Sequence, residues 1–139
     1  MSPPLTHELE NRTALTSTTT GDAIVFSGAQ PKVLQAELDV TAGGTDGTDF
    51  LDVTIQTQLK DGSWVDVIAF TQVAGNAADK THFAKIVADE PQAMFEIGTS
   101  LSAGSIRHIL GQKYRAVMTV TDGSGTPTFT FTIRLHAIR

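Results

Sequence analysis

Cysteine is absent from this chain of 139 residues. That absence excludes disulfides, thiolate metal sites and a cysteine nucleophile, so packing alone has to hold the fold, in a reducing cytosol or elsewhere. Charge is also scarce: 18% of residues are Asp, Glu, Lys or Arg, against ~25% in an average globular domain. The balance is acidic, with a net charge of −5 and a pI near 5.2. A grip on nucleic acid needs clustered Lys and Arg to displace counterions, and this composition argues against one. One Trp and one Tyr make thin resources for stacking sugars. No run approaches the ~18 apolar residues that a membrane-crossing helix requires. The opening "MSPPLTHELENR" has neither a basic region nor an apolar core, so it is not expected to act as a secretory signal.

What the chain has instead is threonine and alternation. With 40% hydrophobic residues and a length typical of one domain, it can bury a real core. Threonine is β-branched and stiff at χ1, which suits half-exposed strands. In "KVLQAELDVT", Leu34, Ala36, Leu38 and Val40 alternate with Gln35, Glu37, Asp39 and Thr41. Leu, Gln, Ala and Glu are good helix formers, but a period of two and the closing "DVT" favour a strand. Leu51, Val53, Ile55 and Leu59 then point one way, with Asp52, Thr54, Gln56 and Gln58 the other. "KDGS" supplies the Asp-Gly of a tight hairpin turn. The returning "WVDVIAFTQV" alternates less cleanly, since Ile68 and Phe70 share a parity with Trp64 and Asp66, which suggests a bulge.

"DAIVFSG", "KTHFAKIVA" and "QAMFEIG" read as further strands, and "TSLSAGSIRHILGQ" as a loop or a short strand at Ile106 to Leu110. The last hairpin is the clearest. Tyr114, Ala116, Met118 and Val120 alternate with Arg115, Val117, Thr119 and Thr121, "DGSGTP" turns, and Phe129, Phe131, Ile133 and Leu135 alternate with Thr128, Thr130, Thr132, Arg134 and His136. The expected fold is therefore all-β: an antiparallel sandwich or jelly roll of about eight strands. Residues 22–139 form its single domain. Residues 1–21, polar and Thr-rich, bury too little to order alone and are expected to form an extended N-terminal arm whose loss leaves the melting curve nearly unchanged.

Catalytic constellations are thin. His7, His82, His108 and His136 show no HExxH pattern or paired metal spacing. "DGSWV" and "DGSGT" place Ser beside Gly, as hairpin turns do for backbone reasons, and no GxSxG elbow occurs. Asp39, Asp52 and Asp66 lie on strands and could share a face, but that is equally how a sandwich keeps its outside wet. The loop "GGTDGTDFLD" sets Asp46, Asp49 and Asp52 among glycines, a composition compatible with calcium but off the spacing of an EF-hand loop. A lone carboxylate-rich loop is ordinarily just a loop. No enzyme activity, cofactor or metal is expected. Trp64, after a turn, is either an anchor for the hairpin or a sugar platform.

Two stretches, "DFLDVTIQTQLKDGSWVDVIAFTQVAG" and "GQKYRAVMTVTDGSGTPTFTFTIRLHA", resemble small structural proteins of tailed bacteriophages. The shared pattern is "LDVTIQ", a hairpin with Trp two residues after its Asp-Gly, "FTQ", and a late hairpin ending in "FTF". The resemblance runs from Leu34 to Ala137, leaving aside "KIVADEPQAMFEIG" and the N-terminus. It implies a virion protein assembled in the host cytoplasm, most simply a decoration protein on the outside of the head. A tail-fibre, baseplate or neck module that recognises a host or a carbohydrate is the alternative. The implied partners are the major capsid protein and further copies of the chain, with a trimer as the geometric default at a threefold. Neither nucleic acid nor membrane is an expected partner. Contact with the shell is expected through the arm, at Pro3, Pro4, Leu5, Leu9, Leu15 and Thr18.

The fold reading makes a simple prediction. Far-ultraviolet circular dichroism should give a β-type spectrum, and a spectrum dominated by α-helical minima would overturn it.

Overall fold

The computed structural model describes residues 5–139 apart from Ala29, Ala78 and Ser124. Eleven strands run in chain order: β1 (Leu5–Leu15), β2 (Thr19–Thr20), β3 (Ile24–Val25), β4 (Val33–Ala42), β5 (Phe50–Gln58), β6 (Trp64–Ala69), β7 (Val73–Ala74), β8 (Lys80–Val87), β9 (Ser105–Ile106), β10 (Lys113–Thr121) and β11 (Phe129–Ile138). One 3-10 turn, Gly75–Ala77, is the only helical element among the described residues. The strands form two antiparallel sheets packed as a sandwich. The first has the order β1-β11-β4-β8, the second β2-β10-β5-β6-β9, with β3 also on β10 and β7 also on β5.

Alternation becomes burial with few exceptions. Leu34, Ala36, Leu38 and Val40 of β4 face Ala137, Leu135, Ile133 and Phe131 of β11 across one antiparallel ladder. In the other sheet Leu51, Val53 and Ile55 of β5 face Val120, Met118 and Ala116 of β10. These inner faces form a single hydrophobic core that also takes in Phe26, Ile86 and Phe129. Replacing a buried core Phe such as Phe131 with Ala costs about 3–5 kcal/mol.

The awkward parity of β6 has a structural cause. Gln56 pairs with Asp66 and the adjacent Ile55 with Ile68, so Val67 is the extra residue of a β-bulge. The bulge resets the parity, and Val65, Val67 and Ile68 are all buried. The preceding turn is closed by Asp61, whose carboxylate accepts the Ser63 N–H at 2.9 Å. That bond holds the Asp61 pKa below its ordinary value. Gly62 follows at φ 92°, where a side chain would be strained.

The strand count exceeds the expected eight, partly through short bridges and partly at the N-terminus. The segment read as an arm is extended, but its described residues do not stand apart from the domain. β1 pairs along the free edge of β11 from Leu5↔Ala137 to Leu15↔Phe129, and Leu9 is buried in the core. β2 adds Thr19 and Thr20 to β10, and the Gly21 N–H donates to the Ala116 carbonyl at 2.9 Å. The backbone hydrogen bonds of β11, not the apolar content of the segment, are what order it. In the other direction, "QAMFEIG" is no strand. Residues 91–97 lie in an exposed connection between β8 and β9, because Phe95 packs on Arg107 instead of entering a ladder.

Tyr114 closes one end of the core. Its hydroxyl donates to the Gly111 carbonyl at 2.9 Å and accepts the Gly111 N–H at 3.0 Å. Beneath it, the buried Thr57 hydroxyl donates to the Lys113 carbonyl at 2.8 Å. Burial pushes the Tyr114 pKa up from 10.0 to about 12.

Two outcomes follow from this packing. Because the folded Tyr114 pKa is raised, its stabilisation is complete below pH 10 and is lost as pH climbs from 10 to about 12. Urea unfolding of Tyr114→Phe should show about 1–3 kcal/mol less stability at neutral pH. The variant should also lack part of the alkaline loss seen in the wild type. Removal of residues 1–15 should lower the unfolding free energy by at least about 2 kcal/mol, the burial of Leu9 alone; an unchanged melting curve would mean that β1 adds nothing to the domain.

Candidate functional site: the open flank between the sheets

The two sheets are not sealed alike on both sides. On one flank, the edge strand β8 of the first sheet stands beside β6 and the short β9 of the second. Between them lies a cleft of about 400 Å³ lined by Ile68, Phe70, His82, Ala84, Gly104 and Ile106, among others. His82 has its Nε2 buried without a hydrogen-bond partner. Phe83, opposite Glu37 and so on the outer face of its sheet, is 63% exposed. It also borders a second depression, of about 240 Å³, with Thr6, Gln35, Glu37, Arg134 and His136.

The connection 88–104 crosses this flank and adds apolar surface of its own. Met94 is 98% exposed and Ile97 50%, and Ile106 of the following β9 is 39% exposed. The connection is nonetheless held in place. Arg107, itself buried, stacks over the Phe95 ring at 4.0 Å and donates to the carbonyls of Asp66 at 3.2 Å and Thr99 at 3.1 Å. The Leu101 N–H donates to Asp66 Oδ2 at 3.0 Å, and the His108 N–H to Gln92 Oε1 at 2.7 Å. A planar guanidinium serves three contacts at once, which a lysine ammonium cannot. The flank therefore presents a strand edge that no described strand pairs, with Phe83 and Ile106 exposed at its cleft and Met94 and Ile97 exposed on the connection.

The outer face of the second sheet is polar and interlocked. Arg115, Gln56 and Asp66 lie across three neighbouring strands, joined by Arg115 Nε to Gln56 Oε1 at 2.8 Å and Gln56 Nε2 to Asp66 Oδ1 at 2.8 Å. Trp64 lies on this face, not in the core. Arg115 sits 4.1 Å from its ring centroid and Lys113 Nζ 5.9 Å. The indole serves as a platform for two cations, so Trp64 anchors its hairpin here as cation–π partner.

Of the residues expected to contact a shell, Pro3 and Pro4 lie outside the described residues, as does the side chain of Leu5. Leu9 is spent on the protein's own core, and Leu15 packs against that core. Thr18 is exposed, and its hydroxyl accepts the Val120 N–H at 3.0 Å. Among those whose side chains are described, Leu9 and Leu15 turn to the core and Thr18 alone is exposed. Phe83 and Ile106 line one cleft, and Met94 and Ile97 stand exposed on the connection from β8 to β9, in a stretch read as a strand. Sequence offered one signal for them: Pro91 and Gly98 bracket the stretch and forbid a long ladder.

The histidines are dispersed. His7 meets Phe26 edge-on at 5.0 Å, His108 Nδ1 accepts the Val87 N–H at 3.3 Å, and His136 Nδ1 lies 2.7 Å from the Thr6 hydroxyl. Asp39, Asp52 and Asp66 are each engaged by a neighbour, Thr81, Gln72 and Gln56 respectively. Among the described residues no three His, Asp or Glu side chains converge to hold a metal ion. No family model, curated protein or solved structure matches this chain at a significant level.

Arg107 gives the flank its test. Arg107→Ala should release the connection 88–104, seen as faster limited proteolysis within it while β4, β5, β10 and β11 stay protected from hydrogen exchange. Arg107→Lys should restore little of that protection. Equal nicking of all three proteins would mean that the loop is held by something other than this side chain.

Proposed function

We propose that this chain is a non-catalytic structural protein of a tailed-phage virion, most simply a decoration protein bound to the outside of the head. The observation that carries the reading is the open flank: Phe83 and Ile106 expose apolar surface at the β8 edge, which no described strand pairs, and Met94 and Ile97 add more on the connection from β8 to β9. Such an edge can add a strand from a neighbour through main-chain hydrogen bonds, while flanking apolar side chains supply burial. The order and phrasing of the hairpin motifs described above support the same class of protein.

In this reading the major capsid protein is the partner, met by the β8 edge and the loop beside it. Neighbouring copies touch through the threonine-rich and charged outer faces. Each contact is individually weak, and repetition across a lattice compensates, because tethered binding events gain effective concentration. The N-terminal segment plays a smaller part than its composition suggested, since β1 is occupied within the domain. The alternative of a tail or baseplate module that stacks sugars on Trp64 loses force from the two cations on that ring.

Particles purified with the chain should carry it at lattice-scale copy number. Phe83→Asp combined with Ile97→Asp should reduce that occupancy at least tenfold, ~1.4 kcal/mol or more per contact, without lowering the melting temperature of the free protein. A handful of copies per particle would reject decoration in favour of a neck or tail position. Full occupancy by the double variant would reject this flank as the docking surface.

A further inference from the structure

Main-chain bonds at the end of β8 reveal which of its groups face the open edge. The Val87 N–H donates away from β4, to His108 Nδ1 at 3.3 Å. The next residue, Ala88, donates to the Lys32 carbonyl on the β4 side at 2.9 Å. Such groups alternate in direction along an antiparallel strand. Ile86, Ala84 and His82 therefore bond β4, while the N–H and C=O groups of Lys85, Phe83 and Thr81 point to the free side. No described strand lies there to receive them.

These open positions are symmetric about Phe83. Their run is bounded at both ends, because the Val87 N–H is spent on His108 and Asp79, at φ 70°, turns the chain aside before Lys80. A second β8 laid antiparallel sets Phe83 opposite Phe83 and Thr81 opposite Lys85, each pair exchanging both its main-chain hydrogen bonds. A shift of two residues either way brings in Val87 or Asp79 and loses bonds. Lys80 of the second strand falls opposite Ile86, so that strand ends short of the His108 cap. The strand is its own complement.

Side chains on the outer face agree with this register. The exposed Phe83 meets its equivalent, and an opposed aromatic pair on one face of a sheet is favourable. Lys85 is exposed and forms no ion pair among the described residues. Here it lies beside the other copy's Thr81, whose hydroxyl donates to Asp39 Oδ1 at 3.2 Å. Asp39, opposite Thr81 on β4, is then two strand spacings from that lysine, ~10 Å between Cα atoms and within reach of an extended side chain. The two Lys85 positions stand ~14 Å apart, beyond the ~8 Å over which exposed charges act. We infer that two copies of this chain pair through β8 about a twofold axis, joining their first sheets into one continuous sheet. The second strand covers the cleft whose far wall is Gly104, Ser105 and Ile106. The pairing rests on the edge alone, not on a role in a virion. Docking of a shell on β8 excludes it, so the pair is the form of the free protein and gives way on the particle.

The test is sedimentation of the full chain, without particles, from micromolar to near-millimolar concentration. A monomer–dimer equilibrium is expected, with the Thr81, Phe83 and Lys85 amides gaining protection from hydrogen exchange as the dimer forms. Lys85→Glu sets a carboxylate beside Asp39 and should weaken the pair by about tenfold or more. Adding Asp39→Lys restores opposite charges and should recover most of that loss. Phe83→Pro deletes a free N–H but no bond to β4, and should leave the chain folded and monomeric. If Phe83→Pro does not fold, the charge reversal decides alone. A monomer at every concentration overturns the pairing and leaves the edge to a foreign strand. A trimer overturns it too, as does a dimer indifferent to Lys85→Glu and Phe83→Pro.

Discussion

Two antiparallel ladders, β11 on β4 and β10 on β5, place every second side chain of four strands in one shared interior. The period of two is unforgiving, since a slip of one residue in either ladder would turn its apolar set to solvent. The remaining strands depend on this pairing. β1 exists because β11 has a second edge to offer, and β6 returns along β5 only because a bulge at Val67 restores the parity. Tyr114 then closes the interior where alternation runs out, exchanging two hydrogen bonds with Gly111.

The parts of the fold written as alternation were legible in the sequence, and those held by backbone or polar contacts were not. β11 could be read residue by residue because Phe129, Phe131, Ile133 and Leu135 alternate without interruption. Even the bulge left a trace, in the clash of parity between Trp64 and Ile68. β1 left none. Its inward positions include His7, Glu10 and Arg12, and Glu10 is paired with Arg12 at 3.0 Å, so its pattern looks like that of a solvated tail. "QAMFEIG" misled in the opposite sense: a short alternation that finds no strand to pair with, because Phe95 is taken up by Arg107.

The aspartate loop shows a third kind of limit. Spacing could bring Asp46, Asp49 and Asp52 into one list but could not tell which of them is buried. Asp52 alternates with the buried Leu51 and Val53, so its outward place on β5 was readable. That Asp49 is buried with one oxygen unpaired depends on glycines 75, 123 and 125, which lie 26 or more residues further along the chain. Contacts of that range leave no periodic signal.

The two borders of the first sheet are unequal. β1 is interrupted by register shifts after Glu8 and after Arg12, whereas β8 runs in unbroken register from Lys80 to Val87 and carries lysine near both of its ends. Irregular edges resist further pairing and straight ones invite it. Joined through β8 alone, the first sheet can coat a surface or close into a pair, but β1 gives it no matching straight border along which to extend the ladder.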